Sequence, residues 1–383
     1  MKRTRAELFQ TFFMGGFECS THRRSRDRAR LDMIAATRHD QFVMSDYRAL
    51  TDLGIKTARD GLRWHLIEQR PGRYDFSSFL PMLRAAQATG VEVIWDLCHY
   101  GWPDDIDVFS PAFVDRFARY AAAACALLRD ETDGYALLAP INEMSFLSWA
   151  GGEVANINPF AKERGYDLKT QLVRATIAAA DVIWDQLPHA RIVQCEPAIH
   201  IVADPKRPQD HADAEGYRIF QFEALDMLCG RSSPELGGRP KYLDILGVNY
   251  YGNNQWIHNG RTLAVSDPLY RPFREILREY YRRYGRPMFI SETGCEDDKR
   301  PEWLAYIAGE AWAAKRAGAA IEGLCLYPIV NHPGWDNERH CHNGLFDYAD
   351  DDGRREMYPP LGRELSKQQS AFEEFEQWKQ AAS

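Results

Sequence analysis

Apolar residues recur along the chain in short runs closed by turn residues, and most runs are followed by a stretch with helical spacing. Eight runs read as strands: 12–19, 55–64, 91–100, 135–143, 191–198, 242–251, 287–292 and 321–330. The helical patterns between and after them fall at 39–53, 77–89, 111–129, 168–187, 215–228, 269–284, 301–317 and 361–381. Gly54, Gly90 and Gly318 close three of these patterns. Strands alternating with helices, with no linker between halves, predict an α/β protein: a (β/α)8 TIM barrel formed as one domain over 1–383, with loop insertions at the strand ends and a C-terminal helix. An open doubly wound sheet is the runner-up. No GxGxxG turn follows any run, and Gly15-Gly16 lacks the third glycine, so nothing points to a dinucleotide.

Two of the runs end in a glutamate. One is YALLAPINE, closing on Asn142 and Glu143; the other lies in RPMFISETGCE and closes on Glu292. A buried, unpaired charge costs several kcal/mol, so an acid at the end of an apolar strand is not there for the core. Barrels of this kind build their active site at the carboxyl ends of the strands. The residues closing the runs are Glu18 and Cys19, Arg59, His99 with Trp102, Asn142 with Glu143, Glu196, Asn249 with Tyr251, Glu292, and Tyr327 with Trp335. Acids, amides, aromatics and one arginine form a lining suited to carbohydrate, in which ring faces stack on sugar C–H surfaces and carboxylates bind hydroxyls. Cleaving a glycosidic bond takes one carboxyl to protonate the leaving oxygen and a second to meet the oxocarbenium-like centre; a separation of about 5–5.5 Å implies retention of configuration.

Composition narrows the alternatives. Hydrophobic residues make up 45% of 383 and aromatics 12%, enough for a large core. A net charge of −8 argues against a nucleic-acid surface, and the arginines from Arg23 to Arg30 are interrupted by Asp27. The opening Met-Lys-Arg precedes too short an apolar stretch for a secretory leader, and no run approaches the roughly 18 residues of a membrane span. Eight cysteines without CxxC spacing read as buried thiols in a reducing compartment, so the expected location is cytoplasmic. His332, His340, His342 and Cys341 contain an HxH pair but match no zinc spacing, and no metal or cofactor is expected.

These strand ends resemble clan A glycoside hydrolases, retaining (β/α)8 enzymes, and most of all family 1 β-glycosidases. Asn142-Glu143 and Glu292 are similar to the clan's paired signature. Arg59 with Trp64, CHYGWPDD around His99, GVNYY at 247–251, ISETG at 290–294 and NGLFDY at 343–348 resemble family 1 segments. The resemblance implies that Glu143 is the general acid/base and Glu292 the nucleophile, kept ionised by Arg59 and a tyrosine hydroxyl. Tyr251 is preferred for that hydroxyl, with Tyr250 still open. It further implies that Asn142 bonds the sugar 2-hydroxyl, that the partner is a carbohydrate substrate, and that the reaction is hydrolysis of a β-glycoside by double displacement. An endo-acting clan A glycanase and a barrel that binds sugar without cleaving it are the alternatives.

The departures from the family fall at sugar-binding positions. His22 and Glu18 stand near the place of a strand-one glutamine, Tyr327 replaces a tryptophan, and Gly334-Trp335 replaces a Glu-Trp pair. Glu18, His22, His99, Trp102, Tyr327 and Trp335 are the candidate substrate-binding residues, and at least two of Trp102, Trp149, Trp256 and Trp335 are expected to stack on substrate. Glu196 either lines the site or bonds within a loop. The Tyr327-Pro328 bond is expected to be cis, because proline makes that isomer accessible.

Overall fold

The protein was analysed as a computed structural model, which describes residues 8–381. The leader-like Met1 to Arg3 and the ends of the 1–383 domain reading lie outside the described residues. Eight parallel strands close into a barrel: β1 (Phe13–Gly16), β2 (Thr57–Gly61), β3 (Glu92–Cys98), β4 (Leu137–Ile141), β5 (Arg191–Pro197), β6 (Ile245–Asn249), β7 (Met288–Thr293) and β8 (Ile321–Leu326). Neighbours pair in sequence order and β8 pairs with β1, with Phe13 opposite Leu324. The main helices are α1 (His39–Asp52), α2 (Leu80–Thr89), α3 (Pro111–Glu131), α4 (Gly165–Gln186), α5 (Glu223–Cys229), α6 (Phe273–Tyr284), α7 (Arg300–Arg316) and α8 (Pro359–Ala381). The (β/α)8 reading of the hydrophobic pattern is the observed architecture.

Local chemistry sets the helix ends. Ser110 caps α3 by accepting from the Ala112 N–H, with Pro111 at the first helical position, where its missing N–H costs nothing. Gly90 ends α2 at φ 72°, backbone that a side chain would strain. The pattern at 215–228 is not one helix. It breaks into His211–Ile219, a 3-10 turn Phe220–Phe222, and α5. Phe222 is buried against Tyr280, whereas Ile219 and Phe220 are 46% and 56% exposed, so the apolar stripe changes face at the break. A two-stranded parallel ribbon, His200–Val202 with Gln255–Ile257, lies beyond the ends of β5 and β6. Three residues are too few for alternation to show in a sequence.

Two apolar layers hold the molecule. One lies between barrel and helices. The other fills the barrel and includes Met14, Ile94, Leu137, Ala139, Val193, Ile245, Phe289 and Tyr327. Because strand side chains alternate faces, inward positions step along each strand by two. On β3 they pass from Ile94 to Asp96, and on β6 from Ile245 through Gly247 to Asn249: apolar below, polar at the mouth. Each large side chain removed from water contributes about 1.5–3 kcal/mol, and this plug is the support on which the polar groups rest. Among the described residues no helix is long and apolar enough to cross a membrane.

Candidate active site

Arg59, on β2, is fully buried at the mouth and organises the polar groups above the plug. Its guanidinium donates from Nε to Asp96 Oδ1 at 3.0 Å and from Nη2 to Asp96 Oδ2 at 2.7 Å, a two-pronged ion pair. Nη1 reaches Glu292 Oε1 at 2.7 Å, and Nη2 also donates to Asn142 Oδ1 at 2.6 Å. Tyr251 donates to the other oxygen of Glu292 at 2.9 Å. Tyr250 instead meets Tyr270 hydroxyl to hydroxyl at 2.6 Å and packs on Phe273, away from Glu292.

Glu143 follows β4 with left-handed backbone, φ 45° and ψ 62°, and Tyr100, just past β3, also has a positive φ of 64°. Left-handed backbone at non-glycine residues costs on the order of 1–3 kcal/mol each and concentrates at functional sites. Here backbone and side-chain bonds hold it: Glu143 N–H donates to Cys195 O at 2.9 Å, and Asn158 Nδ2 donates to Tyr100 O at 2.9 Å. Tyr100 donates its hydroxyl hydrogen to Glu143 Oε2, and Asn249 Nδ2 donates to Glu143 Oε1 at 3.0 Å. Asn249 is itself aimed by Ser291, whose hydroxyl donates to its Oδ1 at 2.5 Å. Gly247 makes room for that contact, since a Cβ there would stand 2.5 Å from Ser291 Oγ.

Burial pushes both Glu143 and Glu292 upward, and the charge on each opposes ionisation of the other. The two therefore titrate as a pair that keeps one proton more readily than free carboxyls do. Arg59 touches Glu292, yet burial still lifts that carboxyl to about 7; among the described residues no arginine or lysine is within ion-pair distance of Glu143, whose two oxygens meet neutral donors. Tyr100 and Tyr251 are raised well above the ordinary phenol range by burial and then by neighbouring carboxylates, and they act as neutral donors.

Both glutamates face one cavity of about 1410 Å³ at the carboxyl ends of the strands. Glu18, His99, Tyr327 and Trp335 line it as well. Glu18 accepts from Ser20 N–H at 2.9 Å and lies 3.8 Å from His99 Nε2; burial opposes its charge, but His99 and His332 outweigh that and hold the carboxyl below its usual range. His22 is behind the wall: it stacks on Trp335 at 4.6 Å and its Nε2 is 3.1 Å from Trp335 O, so it positions the tryptophan. Trp102 is buried edge-on against Phe113 and is not part of the lining. Trp149, Trp256 and Trp335 all reach the cavity. Asn142 is fully buried, and its amide is engaged: the oxygen faces Arg59, and Nδ2 faces His99 Nε2 at 3.0 Å and Tyr100 Oη at 2.9 Å. Glu196 lies under the loop that carries Glu143, accepting from Ser145 N–H at 3.1 Å, and burial lifts it to about 7. The Tyr327-Pro328 bond is cis.

Asp96 and Tyr100 do not emerge from the sequence pattern. Asp96 sits inside an apolar run, which is itself a signal: a charge in mid-strand needs a buried partner. Cys19, Asp96 and His99 offer ligand atoms within 4.8 Å of one another. Asp96 is already committed on both oxygens to Arg59, and burial keeps the Cys19 thiol well above its ordinary range, so the trio forms a hydrogen-bond cluster and does not fit a cation. In the histidine-rich loop, His332 bonds Pro333 O and Asn343, and His340 stacks on Tyr348.

The sequence matches no family model and no curated protein. The fold is similar to that of solved structures. A family 1 β-glucosidase from Thermotoga maritima superposes with a TM-score of 0.71 at 15% identity, over 87% of each chain. A hyperthermophilic β-glucosidase mutant gives 0.72 at 16% over 95% of this chain and all of the other. The AHE enzyme from Alicyclobacillus herbarius gives 0.76 at 17% over 96% of this chain and all of that one, so that what the chain shares with these proteins is the (β/α)8 barrel from end to end.

Proposed function

We propose that the protein is a glycoside hydrolase that cleaves β-glycosides with retention of configuration, Glu292 acting as nucleophile and Glu143 as general acid/base. The observation that carries this reading is the unequal treatment of two buried carboxyls on one cavity: Glu292 is held by Arg59 and Tyr251, and Glu143, among the described residues, has only neutral donors. Glu292 attacks the anomeric carbon as Glu143 gives its proton to the departing oxygen. Esterification removes the charge of Glu292, Glu143 stays ionised, and it then takes a proton from the attacking water. Glu18, His99, Tyr327 and Trp335 are the proposed sugar contacts. The volume of the cavity, with Trp149 and Trp256 on its walls, supports a substrate larger than one sugar ring.

Aryl β-glycosides of several sugars, followed by phenol release, test the reading. Wild-type protein turns over at least one of them, and Glu292→Gln abolishes turnover. Glu143→Gln lowers the rate about 10²–10⁴-fold on a poor leaving group and much less on a nitrophenyl glycoside. Proton NMR of the first-formed sugar shows the β anomer. Sugar binding without turnover of any glycoside points to a non-catalytic barrel, cleavage inside polysaccharides points to an endo-acting glycanase, and release of the α anomer refutes double displacement.

A further inference from the structure

Resting on the glycosidase reading, we propose that Tyr100 is a positioning residue for Glu143, one that holds it in its ionised, base-competent state between the two half-reactions. The argument is one of hydrogen-bond direction. Arg59 Nη2 donates to Asn142 Oδ1 and so fixes which end of that amide is oxygen. The NH2 end then faces Tyr100 Oη at 2.9 Å and His99 Nε2 at 3.0 Å. With Asn142 donating to its oxygen, the tyrosine points its own hydrogen at Glu143 Oε2. On the other side, the same Asn142 oxygen faces Asn249 Nδ2 at 3.4 Å and so fixes that amide, whose NH2 end also donates to Glu143 Oε1 while Ser291 donates to its Oδ1. Both oxygens of Glu143 thus meet donors whose orientation is set from Arg59 through Asn142, an arrangement that fits a carboxylate better than a carboxylic acid.

The burden this places on the reaction is specific. Burial and the charge of Glu196 favour a proton on Glu143, and the charge of Glu292 acts the same way; Tyr100, Asn249 and His99 act against it. In the first half-reaction Glu143 carries a proton and loses it to the leaving oxygen as the C–O bond breaks. The charge it acquires is received by the Tyr100 hydroxyl. In the second, the anomeric carbon bonds to water oxygen, its bond to Glu292 breaks, and the water proton passes to Glu143. Tyr100 stays neutral throughout, so no proton is gained or lost through it. Its ring is clamped by Phe146 at 5.5 Å and Trp335 at 5.6 Å between centroids, which keeps the hydroxyl in place.

Tyr100→Phe keeps the ring and removes the hydrogen bond. Glu143 then holds its proton more tightly, and the basic limb of the kcat/KM–pH profile moves up by about one unit. With a nitrophenyl glycoside kcat falls about tenfold, because the second half-reaction limits it, while kcat/KM changes less than about threefold. Independently of turnover, infrared difference titration, with Glu143→Gln supplying the band assignment, shows the Glu143 carboxyl titrating at higher pH in Tyr100→Phe. A basic limb and an infrared titration that stay put or move down overturn the proposal, as does an equal fall in kcat and kcat/KM. If wild-type protein cleaves no glycoside, the glycosidase reading fails, and the infrared titration still decides whether Tyr100 controls this carboxyl.

Discussion

Replacing Arg59 with methionine removes the guanidinium but keeps much of the side-chain volume. In the native protein that group makes two bonds to Asp96 at 3.0 and 2.7 Å, one to Glu292 at 2.7 Å, one to Asn142 at 2.6 Å and a longer one to Ser291 O at 3.3 Å. Asp96 is then left, fully buried, with His99 Nδ1 at 2.9 Å and a thiol contact at 3.9 Å. Removing one partner of a buried pair costs about 3–5 kcal/mol, and Glu292 losing its cation places this variant near the upper end. Asp96→Leu costs less, about 2–3 kcal/mol, since Arg59 keeps its bonds to Glu292 and Asn142. The double variant leaves neither Arg59 nor Asp96 charged, so its loss falls short of the sum by about 2–3 kcal/mol. Urea denaturation of the four proteins at pH 7, followed by circular dichroism, measures that coupling. Additivity within about 0.5 kcal/mol, or a loss below about 1 kcal/mol for Arg59→Met, would refute the view that this pair anchors the site.

Two further outcomes follow from the same physics. His39 is buried between Asp46 and Asp60 at 2.7 and 2.8 Å; burial opposes its charge, but the two aspartates lift it to about 9 from 6.5. A raised folded-state value means this stabilisation, on the order of 3 kcal/mol, is fully present below about pH 6.5 and is lost as pH rises through 9. The urea midpoint should therefore fall between pH 6.5 and 9, with a smaller fall in His39→Gln; identical slopes would remove the claim. Gly16→Ala places a Cβ 2.1 Å from the Tyr327 ring, so it costs about 1–3 kcal/mol by overpacking, lowers the melting temperature and displaces a cavity-lining side chain. A melting temperature equal to wild type would show that the ring yields freely.

The barrel was legible because its causes are local. Short apolar runs, helical spacing and glycine stops act over a few residues, and β5, predicted at 191–198, is observed as Arg191–Pro197. The glutamates at the ends of the fourth and seventh runs stood out because a charge there conflicts with burial. The ribbon after β5 and β6 and the break at Phe220–Phe222 were not legible, since pairing across some fifty residues and a change of buried face leave no periodic trace. His22 and Trp102 looked like rim residues by position in the chain, yet one props Trp335 and the other packs on Phe113. Side-chain direction after a strand end depends on loop geometry that neighbouring loops impose.

The sequence by itself determined where the eight barrel strands run, which of their ends carry acids, and that an arginine stands on the second of them. Only the tertiary structure decided the partnerships: that Arg59 grips Asp96 as well as Glu292, and that Tyr100 meets Glu143 across 43 residues of chain. Hydrogen bonds and charge pairs act over a few ångströms in space, and closure of the barrel alone brings residues so distant in sequence within that range.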